Sequence, residues 1–337
     1  RDEGRTLPTL LRSLAVQGRA ADEVIVVDDA SSDDTMSVAE SLGAKVVAAG
    51  PLPPGWTGKA WACAAGAEAA SASLLVFLDA DTELAAGGLE RLVAEHAARG
   101  GRGLLSVAPY HVTGRPHERL SAVCNLVTLM GTGAFTPLGG WMGTRGSFGP
   151  CLVCRRADYE ALGGHGSIRA DMADDLGRLF RSAGLPVRML GGRATLCYRM
   201  YPDGLGQLVE GWTKNLASGA DLTHPAVMAL VVAWVSGLVV APVAAVRALR
   251  GGSGGRRPGP AVARYAAYAL QVEWMLRRVG RFGRGTGLAY PAPLGAFLAC
   301  FARSVWGSRR GGSVSWKGRA VRVAPASQRG LAGHRGP

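Results

Sequence analysis

Leu7, Leu10, Leu11 and Leu14 recur at helical spacing and predict a helix over residues 6–15, with Pro8 tolerated in its first turn. The pattern then changes. Glu23-Val24-Ile25-Val26-Val27-Asp28-Asp29 is a short β-branched run ending in two acids, and its continuous hydrophobicity suits a buried parallel strand. Ser31, Ser32 and Asp33 can cap a helix over residues 35–42. A strand is predicted at residues 45–48, a Pro- and Gly-rich loop at 50–58 and an Ala-rich helix at 61–72. Leu74-Leu75-Val76-Phe77-Leu78-Asp79 is a further buried strand, again ending in acid. A helix over 87–99 and a strand over 104–108 follow. Strands alternating with helices predict an α/β domain with a mostly parallel sheet and helices on both faces. Ligands of such sheets bind beyond the carboxyl ends of the strands, where both acidic clusters fall.

Residues 110–224 are Gly-rich and carry helices near 171–183 and 204–217. No charge interrupts residues 225–246, long enough to cross a bilayer, since about 20 apolar residues suffice. A second uncharged run spans residues 285–302, and residues 261–276 are apolar apart from Arg264 and Glu273. The expected organisation is a catalytic domain over 1–224, a membrane segment of two or three apolar helices over 225–306, and a basic, partly disordered tail over 307–337. The opening Arg1-Asp2-Glu3-Gly4 is a polar turn with no strand before it, and it predicts an incomplete N-terminus.

The net charge is +13 across 337 residues. Beyond Asp221 the only acid is Glu273, so the excess sits beside the apolar runs. That pairing favours a membrane surface. Nucleic acid is not an expected partner, because the basic segment lacks interleaved aromatic motifs. The six cysteines are scattered, which fits reduced thiols in a packed interior and a cytosolic catalytic part.

Four clusters carry candidate chemistry. Asp28 and Asp29, at a strand end, can accept hydrogen bonds from a nucleobase N–H or a ribose hydroxyl; Asp33 and Asp34 are explained by capping alone. In extended chain, Asp79 and Asp81 share a side and repel unless a cation sits between them. Mg2+ or Mn2+ bridging to a diphosphate supplies that cation. Asp171, Asp174 and Asp175 gather at a predicted helix start, where the dipole stabilises acids and where one of them can serve as a general base. Gln207, Trp212 and Lys214 occupy adjacent turns of one helix and can hold a diphosphate leaving group or an acceptor, or simply form an amphipathic helix.

The order of these residues resembles family 2 glycosyltransferases of the GT-A fold. It runs from Arg1-Asp2-Glu3 to Val27-Asp28-Asp29-Ala30-Ser31, Leu78-Asp79-Ala80-Asp81-Thr82, Asp174-Asp175-Leu176 and the Trp212 helix before apolar segments. Leu52-Pro53-Pro54-Gly55-Trp56-Thr57-Gly58-Lys59-Ala60-Trp61 and Gly211-Trp212-Thr213-Lys214-Asn215 are similar to its carotenoid- and hopanoid-associated branch. The resemblance implies a Rossmann-like GT-A domain followed by C-terminal transmembrane helices. It implies a multi-pass protein of the cell membrane with its catalytic domain in the cytoplasm. Glu3, Asp28, Asp29, Lys59 and Asp79 would bind the donor nucleotide, and Asp81 with Asp79 the metal. Asp175, with Asp174, would be the base of an inverting displacement; Gln207, Trp212 and Lys214 would serve the acceptor or diphosphate. The expected partners are a nucleotide-sugar, most simply a UDP-sugar, and a lipid or isoprenoid acceptor. Processive members carry Q-x-x-R-W, whereas here Gln207 is followed by Glu210, Gly211 and Trp212, which predicts transfer of one sugar. The rivals are a nucleotidyltransferase and a non-catalytic nucleotide-sugar-binding membrane protein. A Rossmann dehydrogenase is disfavoured, because Gly204-Leu205-Gly206 does not follow a convincing strand.

Overall fold

A computed structural model describes residues 1–98, 100–136, 146–169, 176–250, 258–309, 313–316 and 319–322. For 215, 217–222, 308–309, 313–316 and 319–322 it describes the backbone course alone. The chain forms two compact units.

The first unit holds the described residues of Arg1–Val112, Gly139–Arg199 and Arg278–Arg281. Its elements begin with α1 (Leu7–Ala15), β1 (Ile25–Asp28), α2 (Thr35–Ser41), β2 (Lys45–Ala48), α3 (Gly58–Ala69), β3 (Leu74–Leu78), β4 (Thr82–Leu84), α4 (Gly88–Ala97), β5 (Leu104–Ala108) and β6 (Tyr110–Val112). The helices and the strands β1, β2, β3 and β5 match the sequence expectations to within a few residues, whereas the short strands β4 and β6 were not expected, having no apolar run to announce them. β7 (Cys151–Arg155), α6 (Arg156–Ala161), a 3-10 turn (Gly164–Ile168), α7 (Leu176–Ser182), β8 (Val187–Gly191) and β9 (Leu196–Tyr198) follow.

The central sheet has the order β3-β7-β5-β8. It is mixed, which corrects the mostly parallel expectation. β7 lies antiparallel between β3 and β5, and only the β5–β8 pair is parallel. Unbroken hydrophobicity reports burial on both faces and is blind to strand direction, so the antiparallel insertion left no trace in the pattern. β1 and β2 form a separate parallel pair, and β6, β9, β4 and β10 (Gly280–Arg281) make a second small sheet.

Successive strand residues point to opposite faces. Leu104, Leu152 and Cys154 accordingly pack with Ala67, Tyr159, Leu176 and Phe180, while Leu105, Cys151 and Val153 pack with Leu89, Leu92 and Leu196. Both faces of the sheet are thus covered. α1 lies over the β1–β2 pair, where Leu7 and Leu11 meet Ala39, Ala44, Val26 and Val46. The six cysteines are free; burial pushes the Cys154 thiol up to about 12 and Cys151 further still.

The second unit holds the described residues of Thr113–Leu138, Met200–Arg277 and Phe282–Pro337. Its helices are α5 (Ser121–Gly131), α8 (Leu205–Leu222), α9 (Pro225–Leu249), most of α10 (Gly259–Val279) and α11 (Pro291–Arg309). Ser304 Oγ donates to the Thr213 carbonyl at 2.5 Å, tying α11 to α8. Ser313–Trp316 and Arg319–Arg322 pair antiparallel as β11 and β12, and residues 323–337, expected to be disordered, lie outside the described residues.

Among the described residues, α9 alone is long and apolar enough to cross a membrane. The expectation of two or three such helices, and of a multi-pass chain, therefore finds support at one helix only. The uncharged run 285–302 is broken: Gly285 takes φ +82°, and helix α11 begins only at Pro291 and then runs on through Arg303 and Arg309. α10 carries Arg264, Glu273, Arg277 and Arg278.

Candidate functional site

Two turns from distant parts of the chain meet beside the end of β1. The Asp2 N–H donates to Ser31 Oγ at 3.0 Å, and the Ser32 N–H donates back to Asp2 Oδ1 at 2.7 Å. The Glu3 N–H donates to Thr35 Oγ1 at 2.9 Å and the Gly4 N–H to Asp33 Oδ2 at 3.0 Å. Asp33 also accepts from the Thr35 N–H and hydroxyl, bonds that hold its carboxyl below the usual carboxylate range. Asp33 is therefore used in building the turn; the N-cap of α2 is Asp34, which makes no side-chain cap hydrogen bond, so the capping expected here is not what holds these acids. Thr6 Oγ1 donates to Glu3 Oε2 at 2.5 Å and orients that carboxylate.

Asp28 and Asp29 are both buried at this point. Asp28 Oδ2 accepts from the Ser31 N–H at 3.2 Å, across Ala30 at φ +54°. Asp28 Oδ1 is buried without a partner among the described residues. A buried carboxylate oxygen left open in this way is costly unless something donates to it, so it suits a ligand N–H or hydroxyl.

The chain leaves β3 in a tight turn. The Asp79 N–H donates to the Pro150 carbonyl at 3.0 Å, while the Asp79 carbonyl accepts from the Thr82 N–H at 3.1 Å and Thr82 Oγ1 at 2.7 Å. This turn sets Asp79 and Asp81 beside Lys59. Lys59 Nζ lies 2.7 Å from Asp79 Oδ1. Asp81 is half-buried, yet loss of water contact, followed by the charges of Asp79 and then Glu3, pushes its carboxyl up to about 7; Lys59 acts in the opposite sense. Glu3, Lys59, Asp79 and Asp81 thus form one charge cluster, drawn from an N-terminal turn, a helix start and a strand end.

Lys59 is held there by the start of α3. Thr57 caps the helix, its Oγ1 accepting from the Ala60 N–H at 3.3 Å. Trp56, just before the cap, meets Trp61 edge-on with ring centroids 5.1 Å apart, a hydrophobic staple that fixes how the chain enters the helix. The Thr57 N–H donates to the Arg169 carbonyl at 2.8 Å. Sequence reading missed the staple and the Arg169 contact. A cap residue flanked by aromatics one position before and four after it was the legible signal for the staple.

Among the described residues no three or more His, Cys, Asp or Glu side chains close on one point. A dedicated metal cage is therefore not what Asp79 and Asp81 offer. They offer a carboxylate pair, and Mg2+ is characteristically held by one or two carboxylates with substrate phosphates and water completing the shell. Burial first, and then repulsion from Asp79 and Glu3, favours the protonated Asp81, and a divalent cation would relieve the repulsive part. The donor set fits Mg2+ or Mn2+ on those terms.

Asp171, Asp174 and Asp175 lie outside the described residues. Gln207, Trp212 and Lys214 lie on α8, in the second unit. Gln207 bonds to Asp203, receiving its N–H at 3.0 Å and donating to its Oδ2 at 3.3 Å. Trp212 is 3% exposed, donates from Nε1 to Ser121 Oγ at 3.0 Å, and packs edge-on against Tyr201. Lys214 is half-buried.

The model of the Glycosyl transferase family 2 family matches residues 1–156. The 4,4'-diaponeurosporenoate glycosyltransferases of Staphylococcus aureus strains MRSA252 and USA300 are each 35% identical over 328 residues, covering 96% of this chain and 87% of theirs. Among solved structures, glucosyl-3-phosphoglycerate synthase from Mycobacterium tuberculosis in complex with UDP is 22% identical, covers 65% of this chain and 76% of that one, and gives a TM-score of 0.40. Its complex with Mn2+, UDP-glucose and phosphoglyceric acid is 21% identical over 65% and 76% of the two chains, again with a TM-score of 0.40. With the identity to the curated relatives running over nearly the whole chain, this protein is a glycosyltransferase and belongs to glycosyltransferase family 2.

Proposed function

We propose that the protein moves a single sugar from a UDP-sugar to an isoprenoid-type lipid at a membrane, with inversion at the anomeric carbon. The observation that carries this reading is the meeting of Glu3, Lys59, Asp79 and Asp81 beyond the carboxyl end of β3. The names of the curated relatives support a carotenoid acid as the acceptor class. The missing arginine of the Q-x-x-R-W pattern supports one transfer and no polymer.

In this reading Asp28 and Asp29 take the nucleoside, with Asp28 Oδ1 accepting from the base or ribose, and Glu3 and Asp79 border the same pocket. Mg2+ or Mn2+, held by Asp79 and Asp81, would stabilise the negative charge that gathers on the departing diphosphate. Lys59 adds a second positive charge from the start of α3. The bond from the anomeric carbon to the diphosphate breaks as the bond to the acceptor oxygen forms. Asp175, with Asp174 beside it, takes the proton of a hydroxyl acceptor. A carboxylate acceptor brings no such proton and leaves that base little to do. Gln207, Trp212 and Lys214 shape the acceptor side, with Trp212 acting through its packing.

The membrane part of the reading rests on α9. Leu230, Val232, Val240, Val243 and Val246 are exposed along a helix with no charge before Arg247. Such a surface is costly in water and favourable in lipid. We read it as one span, with the catalytic unit on the cytoplasmic side.

The test is an assay of the detergent-purified protein against a panel of nucleotide-sugars, with and without Mn2+ or Mg2+. Free UDP should appear only with metal and a carotenoid acid, and Asp81→Ala should lower the rate by about a hundredfold or more. Metal-independent release, or release undiminished by Asp81→Ala, would sink the proposal.

A further inference from the structure

The charge cluster contains its own cation. Lys59 Nζ sits 2.7 Å from Asp79 Oδ1, yet neither side chain is enclosed: they are 39% and 32% exposed. An ion pair this open is weak and easily exchanged. Lysine suits exchange, being a point charge on a flexible stem with no fixed fork to lose. The base of that stem is fixed, because the Thr57 cap and the Trp56–Trp61 staple set the first turn of α3. Only the ammonium end has freedom to move. The Asp79–Asp81 pair carries two negative charges once both are ionised, and Glu3 adds to the field on Asp81, so one ammonium cannot neutralise the pair. A divalent cation can, and its arrival would make the ammonium redundant at Asp79 just as a diphosphate brings new negative charge within reach.

We propose that Lys59 is a resident counter-cation for the Asp79–Asp81 pair: it neutralises Asp79 in the nucleotide-free protein and passes to the diphosphate when metal and donor bind. This rests on the donor reading above and goes beyond it. It gives Lys59 opposite effects on metal binding in two states of one site. Without nucleotide, Lys59 competes with the metal. With nucleotide, it supports the metal–diphosphate complex.

The experiment measures Mn2+ binding by electron paramagnetic resonance, and UDP binding by calorimetry, on the full chain in detergent. Lys59→Gln should bind Mn2+ about tenfold more tightly than wild type when nucleotide is absent, and should bind UDP about tenfold more weakly when Mn2+ is saturating. Lys59→Arg keeps the charge and should stay near wild type in both measurements, and it also shows that the position tolerates change. The melting temperature with saturating Mn2+ checks that each variant is folded. A Lys59→Gln change of the same sign in both states, or no change in nucleotide-free Mn2+ binding, overturns the exchange. Failure of wild-type protein to bind UDP at all overturns the donor reading instead, and with it the second half of the exchange.

Discussion

Trp212 and Ser121 are joined by a buried hydrogen bond of 3.0 Å across 91 positions of sequence, indole donor to hydroxyl acceptor. The bond places the Trp212 ring inside the second unit, against Tyr201. Gly211 is constrained by the same ring: a Cβ there would come within 2.2 Å of Tyr201 Cε1. Trp212→Phe removes the donor and leaves Ser121 short of a partner, which costs about 1–3 kcal/mol. The expected outcome is a lower melting temperature with UDP affinity essentially retained. A large loss of UDP affinity at unchanged stability would instead make Trp212 a direct ligand group.

Asp81 sets a pH dependence in the metal-free protein. Its carboxyl is raised to about 7 by burial, Asp79 and Glu3, whereas in the unfolded chain it returns to the ordinary value of 3.8. Between those values the folded state holds more protons than the unfolded one, so this group's contribution to stability falls as pH rises from about 4 to 7. Melting in a chelator should show that decline, and Asp81→Asn should flatten it. Metal binding requires the ionised form, so Mn2+ should release a proton on binding below about pH 7 and bind more weakly as pH falls. Calorimetry in two buffers of different ionisation enthalpy measures that proton.

Asp28→Asn separates the two oxygens of one carboxylate. The amide retains an oxygen for the Ser31 N–H and presents an NH2 group where Asp28 Oδ1 was open. A donor now faces whatever the ligand donates. UDP affinity should fall by about tenfold to a hundredfold, in line with about 1.5–3 kcal/mol for a hydrogen bond to a charged group. Mn2+ binding without nucleotide should be unchanged, and calorimetry checks both.

The α9 surface predicts fractionation. Val232 and Val240 are 55% and 54% exposed on the one helix long and apolar enough to span, among the described residues. Lysine at either position costs about 2.5–3.5 kcal/mol in a membrane-spanning helix. Wild-type protein should stay with membranes after alkaline carbonate extraction, and Val232→Lys with Val240→Lys should shift it toward the supernatant. Release of the wild type by carbonate would show that the helix does not span.

The elements of the first unit up to Ala108, apart from the three-residue strand β4, were legible in the chain because each has one clear period and clear punctuation. Asp79 and Asp81 were expected together, but through extended chain; a tight turn closed by Thr82 on the Asp79 carbonyl brings them together instead. The neighbours of β3 were not legible. Cys151–Arg155 pairs with both β3 and β5, but it follows a Gly-rich stretch, and nothing in an apolar run states which edge it will join or in which direction. The run from Gly285 to Ala302 misled for a different reason. An uncharged composition was present, but Gly285 at positive φ and a helix start at Pro291 divide it. The packing of Trp212 was hidden because an amphipathic helix announces a buried face without naming what buries it.

The bonds between Asp2–Gly4 and Ser31–Thr35 have a genetic consequence. Nearly every one pairs a backbone N–H with a side chain on the opposite turn, and Asp2 both gives to Ser31 and receives from Ser32. Each turn also has local bonds, from the Thr6 N–H to the Glu3 carbonyl on one side and from the Thr35 N–H to Asp33 Oδ1 on the other, and the lacing joins the two. Asp2→Ala removes the Oδ1 acceptor of the Ser32 N–H but keeps the backbone N–H that donates to Ser31 Oγ, so Ser31→Ala breaks a different bond of the same lacing, and two changes within one network should not be additive. The two turns beside the end of β1 are therefore an epistatic unit: substitutions at residues 2–4 and 31–35 are tolerated in matched sets, and the effect of any one depends on which partner it meets.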